Sequence, residues 1–147
     1  MKPEHRPRIF LAVAIVTTVY ILASGSLVVQ SIPILLTMVF GLLMIVWALL
    51  SIKLNKHHEE HHKLPEGYFL VTKGPYEIIR HPIYAGVLLL ISGFVQWDPS
   101  LLRYLAFVAL FAALLLKIIH EEQVLEEKIT GYMPYKKKTH KLIPYLF

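Results

Sequence analysis

The chain alternates between long apolar stretches and shorter polar ones. Residues 9–29 and 32–52 contain no Asp, Glu, Lys or Arg. A helix of about 21 residues is roughly 31 Å long, which matches the hydrocarbon core of a bilayer. Each of these two stretches therefore predicts a transmembrane helix. A cleaved signal peptide is the alternative for the first stretch, but its length and the second stretch that follows at once favour a retained helix.

Two further apolar stretches, residues 83–97 and 101–119, flank the turn Trp97-Asp98-Pro99-Ser100. So short a turn predicts a helical hairpin. Arg103 and Lys117 lie near the two ends of the fourth stretch, where long basic side chains can reach the interface. The sequence therefore predicts an all-α integral membrane protein of about four transmembrane helices, forming a single domain over residues 1–147.

The basic residues predict the orientation. Fourteen of the 15 Lys and Arg residues lie at the N-terminus, in residues 53–82, or from Lys117 onward, and only Arg103 lies near the short links between helices. Basic residues favour the cytoplasmic side of a membrane. We therefore expect a multi-pass protein with both termini, the 53–82 loop and a helical tail, residues 120–147, in the cytoplasm. In a bacterium this would be the inner membrane.

Composition narrows the possible functions. The chain is 56% hydrophobic with a formal net charge of +5. The basic residues flank apolar spans, so we predict contacts with anionic membrane lipids and no binding of nucleic acid. The chain has no cysteine, which excludes a disulfide framework, a thiol nucleophile and a thiolate metal site.

The block His58-Glu59-Glu60-His61-His62 matches the H-E-x-x-H pattern of zinc peptidases. On a helix it would place two imidazoles on one face. The block lies outside the apolar stretches, and no suitable third ligand follows it. We therefore predict no catalytic metal site, and we interpret residues 57–62 as a solvated segment beside the membrane.

A first polar cluster lies where the third apolar stretch begins. It contains the turn Gly74-Pro75-Tyr76 and the run Arg80-His81-Pro82-Ile83-Tyr84. Pro82 predicts the first turn of a helix, whose free amides and positive dipole end favour an anionic group. Anchoring at the membrane interface by Arg and Tyr explains this cluster equally well.

A second polar cluster, Lys117, His120, Glu121 and Glu122, lies where the fourth stretch ends. Lys117 and Glu121 are four residues apart and share a helix face. This cluster predicts either an ordinary ion-paired helix end or carboxylates that accept the donors of a polar ligand. A basic tail with Tyr132 and Tyr135 follows.

Together these clusters resemble the isoprenylcysteine carboxyl methyltransferase and phospholipid methyltransferase superfamily. The matching residues cover about half the chain, and the combination with its spacing is specific. They are Leu70-Val71-Thr72-Lys73-Gly74-Pro75-Tyr76, Arg80-His81-Pro82-Ile83-Tyr84-Ala85-Gly86, Glu121-Glu122-Gln123-Val124-Leu125, Tyr132, Tyr135 and Lys141-Leu142-Ile143-Pro144.

The resemblance implies a membrane enzyme that transfers a methyl group from S-adenosylmethionine to a hydrophobic or lipid-borne acceptor, either an isoprenylcysteine carboxylate or a phospholipid amine. It implies a cofactor pocket facing the cytoplasm. The catalytic residues that it implies are Arg80, Lys117 and Glu121, with lysine at 117 where the family usually has arginine. The cofactor-binding residues that it implies are Tyr68, Phe69, Leu70, Val71, Gly74, Tyr76, His81, Pro82, Ile83, Tyr84, Glu121 and Glu122.

Three alternatives remain open at this point. A sterol-reductase-like enzyme can carry a similar Arg-His motif and would bind NADPH. A zinc peptidase would use the His58–His62 block. A membrane adaptor without catalytic activity would use the polar clusters only as interfacial anchors.

Overall fold

The computed structural model describes residues 6–25, 31–56, 70–129 and 131–144. These residues form five α-helices and one short 3₁₀ helix, and they contain no β-strand. The α-helices are α1 (Arg6–Ala23), α2 (Ile32–Lys56), α3 (Pro82–Trp97), α4 (Leu101–Lys128) and α5 (Tyr132–Lys138), and the 3₁₀ helix is Gly74–Glu77. The prediction of an all-helical fold is confirmed for the described residues.

Two helix boundaries differ from the sequence prediction. Helix α1 ends at Ala23, whereas the apolar stretch was predicted to stay helical to residue 29. The turn residues Ser24 and Gly25 end the helix, although the chain stays apolar beyond them. Helix α4 continues to Lys128, about nine residues past the predicted end of its span. The residues after 119 are charged but are good helix formers, so the end of the apolar stretch does not end the helix.

Two of the described helices, α2 and α4, are long and apolar enough to cross a membrane. Helices α1 and α3 are apolar but shorter. Large apolar side chains on α2 and α4 point away from the protein, including Leu36, which is 63% exposed, and Val108, which is 62% exposed. Such surfaces suit a lipid environment, where apolar side chains need no protein cover. These two helices support a membrane protein, while the number of spans stays a prediction.

The contact between α2 and α3 is the most extensive one among the described helices. Glycines at this contact bring the two backbones close together. A Cβ atom added to Gly41 would lie 2.7 Å from the carbonyl oxygen of Gly86. A Cβ atom added to Gly86 would lie 2.7 Å from the carbonyl oxygen of Gly41. Small residues allow this approach in membrane helices, where dispersion contacts replace the hydrophobic effect. The contact fixes α3, and therefore the polar residues at its start, against α2.

Helix α1 packs mainly against α4, and α3 contacts both of these helices. The three helices share a buried cluster that contains Ile21 from α1, Ile91 and Val95 from α3, and Leu110 and Leu114 from α4. Because buried side chains from three helices interlock here, the helices hold a fixed arrangement.

Arg103 joins three of the helices at the end remote from the polar clusters. Its side chain is 3% exposed and donates to the carbonyl oxygens of Ile21 at 2.9 Å and Asp98 at 2.6 Å. The sequence predicted instead that Arg103 extends to the interface. The end of α1 and the turn between α3 and α4 provide two carbonyl acceptors and the Asp98 carboxylate, 3.3 Å from Nη1, and these retain the guanidinium inside.

The C-terminal segment, residues 131–144, packs onto the start of α3. Ile79 and His140 form a parallel β-bridge, and the amides of Arg80 and His81 donate to the carbonyl oxygens of His140 and Lys141 at 2.7 and 3.1 Å. Leu142 joins Ile79, Ala85 and Ile118 in a second buried cluster. The segment therefore lies beside both polar clusters rather than away from the helices.

We predict that the contact between Gly41 and Gly86 cannot accept a methyl group. Gly41→Ala and Gly86→Ala should each lower the melting temperature in detergent, because overpacking costs about 1–3 kcal/mol. Alanine favours a helix more than glycine does, so a decrease would show that packing outweighs propensity. Leu43→Ala is the control, since Leu43 is on the same helix and is 59% exposed. Melting temperatures no lower than that of the control would contradict the prediction.

Candidate functional site

The approach to α3 is a compact turn that positions the first polar cluster. Gly74 has φ of 70°, a left-handed conformation that favours glycine, and an added Cβ would collide with Ser51 on α2. Its amide donates to the Glu77 side chain at 3.2 Å. Gly74 thus shapes the turn, and the chain reaches α3 with His81 as N-cap and Pro82 in the first turn.

A cavity of about 380 Å³ lies beside this helix start. Its wall contains residues from α2, from the approach to α3, from the end of α4 and from α5. They are Ile52, Leu70, Val71, Tyr76, Arg80, His81, His120, Glu121, Val124, Leu125, Tyr132 and Tyr135. A volume of this size is within the range of small-molecule sites, and a mostly apolar wall with a few polar groups is typical of them.

His81 is 9% exposed and lies between two carboxylates. Its Nδ1 is 3.9 Å from Glu121 Oε2, and its Nε2 is 3.5 Å from Glu122 Oε1. The Nε2 atom is buried and forms no hydrogen bond with any described residue. The ring stacks on Tyr84, with centroids 5.6 Å apart and planes 7° apart. These contacts hold the imidazole at the cavity wall, between the two carboxylates.

Glu121 is oriented by two side chains that lie behind the cavity wall. The Tyr84 hydroxyl donates to both of its oxygens, at 2.9 and 3.0 Å, and Lys117 forms an ion pair with it. The Lys117 ammonium also lies 5.5 Å from the centre of the Tyr84 ring, within the range of a cation–π contact. The carboxylate is about a third exposed, so it remains accessible from the cavity while its direction is fixed.

Arg80 connects α4 to the C-terminal segment. Its Nε donates to Glu122 Oε1 at 2.7 Å, and Nη1 donates to the carbonyl oxygens of Lys136, at 3.0 Å, and Thr139. The side chains of Arg80 and Glu122 are 6% and 4% exposed. The planar guanidinium can serve a carboxylate and two carbonyls together, which an ammonium could not do in the same geometry. Arg80 therefore holds the wall of the cavity together.

Three tyrosines form the aromatic part of the wall. The Tyr135 hydroxyl donates to the carbonyl oxygen of Tyr76 at 2.8 Å, and the rings of Tyr132 and Tyr135 are 6.0 Å apart. Burial, reinforced by nearby Tyr84, raises the pKa of Tyr76 to about 12. Burial also raises the pKa of Tyr135. These phenols therefore stay neutral at physiological pH and act as hydrogen-bond donors.

The structure brings together residues that the sequence analysis placed in two separate clusters. The predicted residues that line the cavity are Leu70, Val71, Tyr76, Arg80, His81 and Glu121. Those behind the wall or beside the cavity are Gly74, Pro82, Ile83, Tyr84, Lys117 and Glu122. Tyr68, Phe69 and the His57–His62 block lie outside the described residues.

Several lining residues were not among the predicted site residues. Val124 and Leu125 come three and four positions after Glu121, and this helical spacing places them on the same face. Tyr132 and Tyr135 are among the residues that carry the family resemblance, which implies no role for either. The position of Ile52 at the end of α2 has no signal in the sequence.

A model of the phospholipid methyltransferase family matches residues 29–130, well over half of the chain. The chain belongs to this family. The match confirms the superfamily resemblance and, with the two long apolar helices, makes the protein a membrane methyltransferase. No curated protein matches the chain significantly. The matched region includes α2, α3, α4 and all the polar residues discussed above except those of the C-terminal segment.

None of these findings supports the reductase or the peptidase alternative. Within residues 6–25, 31–56, 70–129 and 131–144, no group of three His, Asp or Glu side chains is placed to hold a metal ion. The prediction that the His58–His62 block is not a catalytic metal site stays a prediction, because that block is outside these ranges.

We predict that the buried pair of Arg80 and Glu122 stabilises this methyltransferase. Arg80→Ala or Glu122→Ala should each cost about 3–5 kcal/mol of unfolding free energy, because each leaves a buried charge without its partner. The double variant should lose less than the sum of the two. The measurement is denaturant or thermal unfolding in detergent.

Lys137→Ala is the matched control for this prediction. The Lys137 side chain is exposed on α5, next to the segment that Arg80 contacts. Exposed substitutions away from such contacts usually change stability by about 0.5 kcal/mol or less, so this variant should remain close to the wild type. If Arg80→Ala were as stable as Lys137→Ala, Arg80 would have no structural role.

Proposed function

We propose that this methyltransferase uses S-adenosylmethionine and transfers its methyl group to a hydrophobic or lipid-borne acceptor. The observation that carries the proposal is the cavity between His81, at the start of α3, and Glu121, on α4, in a chain of this family. The structure brings two distant sequence motifs to one cavity, and the residues of both suit the same ligand.

The residues present fit S-adenosylmethionine. The start of α3 carries the positive end of a helix dipole, with the His81 imidazole beside it at the cavity wall, and this combination suits the carboxylate of the amino-acid part. The carboxylate of Glu121 is an acceptor, which suits an ammonium or ribose hydroxyls. Tyr76 and the apolar residues Val71 and Val124 provide the surface that a purine and a sulfonium favour.

When bound, S-adenosylmethionine supplies a methyl group on a positively charged sulfur. The chain's own residues would hold the reactants in line and exclude water, which are the main requirements of such a displacement. Tyr84 and Lys117 would keep the Glu121 carboxylate pointed at the ligand. Arg80 would act as a positioning residue, because its guanidinium is committed to Glu122 and to the C-terminal segment.

The surroundings of the cavity support this class of acceptor. Helix α4 carries an apolar, outward-facing surface up to the turn where Lys117 begins the polar cluster. A hydrophobic acceptor dissolved in the membrane could therefore present its polar end to Glu121. Both an isoprenylcysteine carboxylate and a phospholipid amine have this form, and Lys117 would act on the acceptor more than on the cofactor.

Purified protein tests the proposal directly. S-Adenosylhomocysteine should raise the melting temperature in a concentration-dependent way, and NADPH should not. Radiolabelled methyl groups from S-adenosylmethionine should appear in the lipid extract of membranes that contain the protein. A shift with NADPH and none with S-adenosylhomocysteine would refute the proposed function.

We predict that His81 and Glu121 bind the same ligand. His81→Ala and Glu121→Ala should each weaken the affinity for S-adenosylhomocysteine about tenfold to a hundredfold, because a charge-assisted hydrogen bond contributes about 1.5–3 kcal/mol. The double variant should deviate from additivity, since the two side chains share one cavity. Isothermal titration calorimetry on folded protein provides the affinities.

Glu127→Ala is the control, because Glu127 is an exposed carboxylate on the same helix and does not line the cavity. It should bind like the wild type. Lys117→Ala should raise the KM for the acceptor more than it weakens cofactor affinity. Wild-type affinity in both single variants, His81→Ala and Glu121→Ala, would refute the assignment.

We further propose four spans with the cavity facing the cytoplasm. Support comes from the sequence positions of 14 Lys and Arg residues, which lie at the N-terminus, in residues 53–82 and from Lys117 onward rather than in the short links. Because the chain has no cysteine, single cysteines report the topology cleanly. The Pro99→Cys variant should react with an impermeant maleimide in intact cells, and the Lys138→Cys variant only after permeabilisation. The reverse pattern would show the opposite orientation.

A further inference from the structure

Tyr132 is the most deeply buried polar residue of the C-terminal segment. It is 1% exposed and begins α5, directly after Gly131, which has φ of 98°. Its hydroxyl oxygen is buried and has no hydrogen-bond partner among the described residues. Burying a hydroxyl without a partner is unfavourable, and buried tyrosine hydroxyls usually find one.

The hydroxyls of Tyr132 and its neighbour Tyr135 differ in their hydrogen bonding. Tyr132 and Tyr135 both line the cavity, with their rings 6.0 Å apart. The Tyr135 hydroxyl is used within the protein, because it donates to the carbonyl oxygen of Tyr76 at 2.8 Å. The Tyr132 hydroxyl has no such internal partner in the described part of the chain, although the residue lines the cavity.

The surroundings of Tyr132 determine which kind of hydrogen bond its hydroxyl can form. Burial, and then the nearby carboxylate of Glu122, raises the pKa of Tyr132. The phenol therefore stays protonated and can donate one hydrogen bond. Glu126 and Glu121 add further negative charge near the phenol, and Arg80 opposes it. Arg80 is itself paired with Glu122, so a second anion would gain little here.

We propose that the Tyr132 hydroxyl donates a hydrogen bond to a neutral acceptor atom in the adenosine part of the ligand that occupies this cavity. The inference rests on the proposed function and adds to it a binding residue from the C-terminal segment. The carboxylate of the amino-acid part is better placed at the start of α3, where the helix dipole is positive, than beside Tyr132, where three glutamates act on the phenol. Ribose oxygens and purine nitrogens carry no charge and do not meet this repulsion.

Tyr132→Phe tests the proposal by removing only the hydroxyl. The Kd for S-adenosylhomocysteine should rise about three- to tenfold, the usual range for one neutral hydrogen bond. The melting temperature without ligand should stay the same or rise, because the variant removes a buried polar group that has no partner. The combination of weaker binding with undiminished stability is expected only for a hydroxyl that serves a ligand.

Two matched substitutions serve as controls. Tyr135→Phe should lower the melting temperature without ligand, because the Tyr76 carbonyl loses its donor. Tyr104→Phe makes the same chemical change at a residue that is 47% exposed near the start of α4 and outside the cavity. It should change neither stability nor affinity.

5′-Methylthioadenosine, which lacks the amino-acid part, tests the assignment to adenosine. It should bind the wild type, and Tyr132→Phe should weaken its binding by the same factor as for S-adenosylhomocysteine. If 5′-methylthioadenosine does not bind the wild type, or if the variant binds it equally well, the assignment to adenosine is wrong.

The outcomes separate this inference from the proposed function. If the wild type does not bind S-adenosylhomocysteine, the proposed function fails. If the wild type binds it and Tyr132→Phe binds it with the same Kd, only the inference fails. A lower melting temperature in Tyr132→Phe with an unchanged Kd would show that water or the protein satisfies the hydroxyl, and this would also overturn the inference.

Discussion

The arrangement of the site depends on the buried pair of Arg80 and Glu122. It is the point where the approach to α3, the end of α4 and the C-terminal segment meet. Each of these segments alone would leave charges or carbonyls unsatisfied at a partly buried position, and the guanidinium satisfies all of them together. The cavity exists because this contact holds three separate parts of the chain around it.

The pair also explains why the neighbouring polar groups have different roles. Glu122 faces inward to Arg80, whereas Glu121, one residue earlier on the helix, faces the cavity and is held by Tyr84. Two adjacent carboxylates on one helix necessarily point in directions about 100° apart, so one can support the fold while the other remains available for a ligand. His81 lies between them and contacts both.

The sequence was informative wherever the signal lay in residue type and spacing. Pro82 marked the start of a helix, and the short turn around Pro99 marked the α3–α4 hairpin, because local backbone chemistry decides both. The partners of Arg80 could not be predicted from the sequence. Two of them are the backbone carbonyls of residues 136 and 139, and a carbonyl carries no signature in the sequence. The same holds for the carbonyl of Ile21, which retains Arg103 inside the protein.

The contact between Gly41 and Gly86 has a consequence for how such proteins can diverge. In most cores, a substitution to a larger side chain in one helix can be compensated by a substitution to a smaller side chain in the facing helix. Here an added Cβ on either glycine meets the carbonyl oxygen of the other, which no substitution can shorten. Compensatory change across this contact is therefore not available, and variation between relatives must be absorbed elsewhere along the two helices.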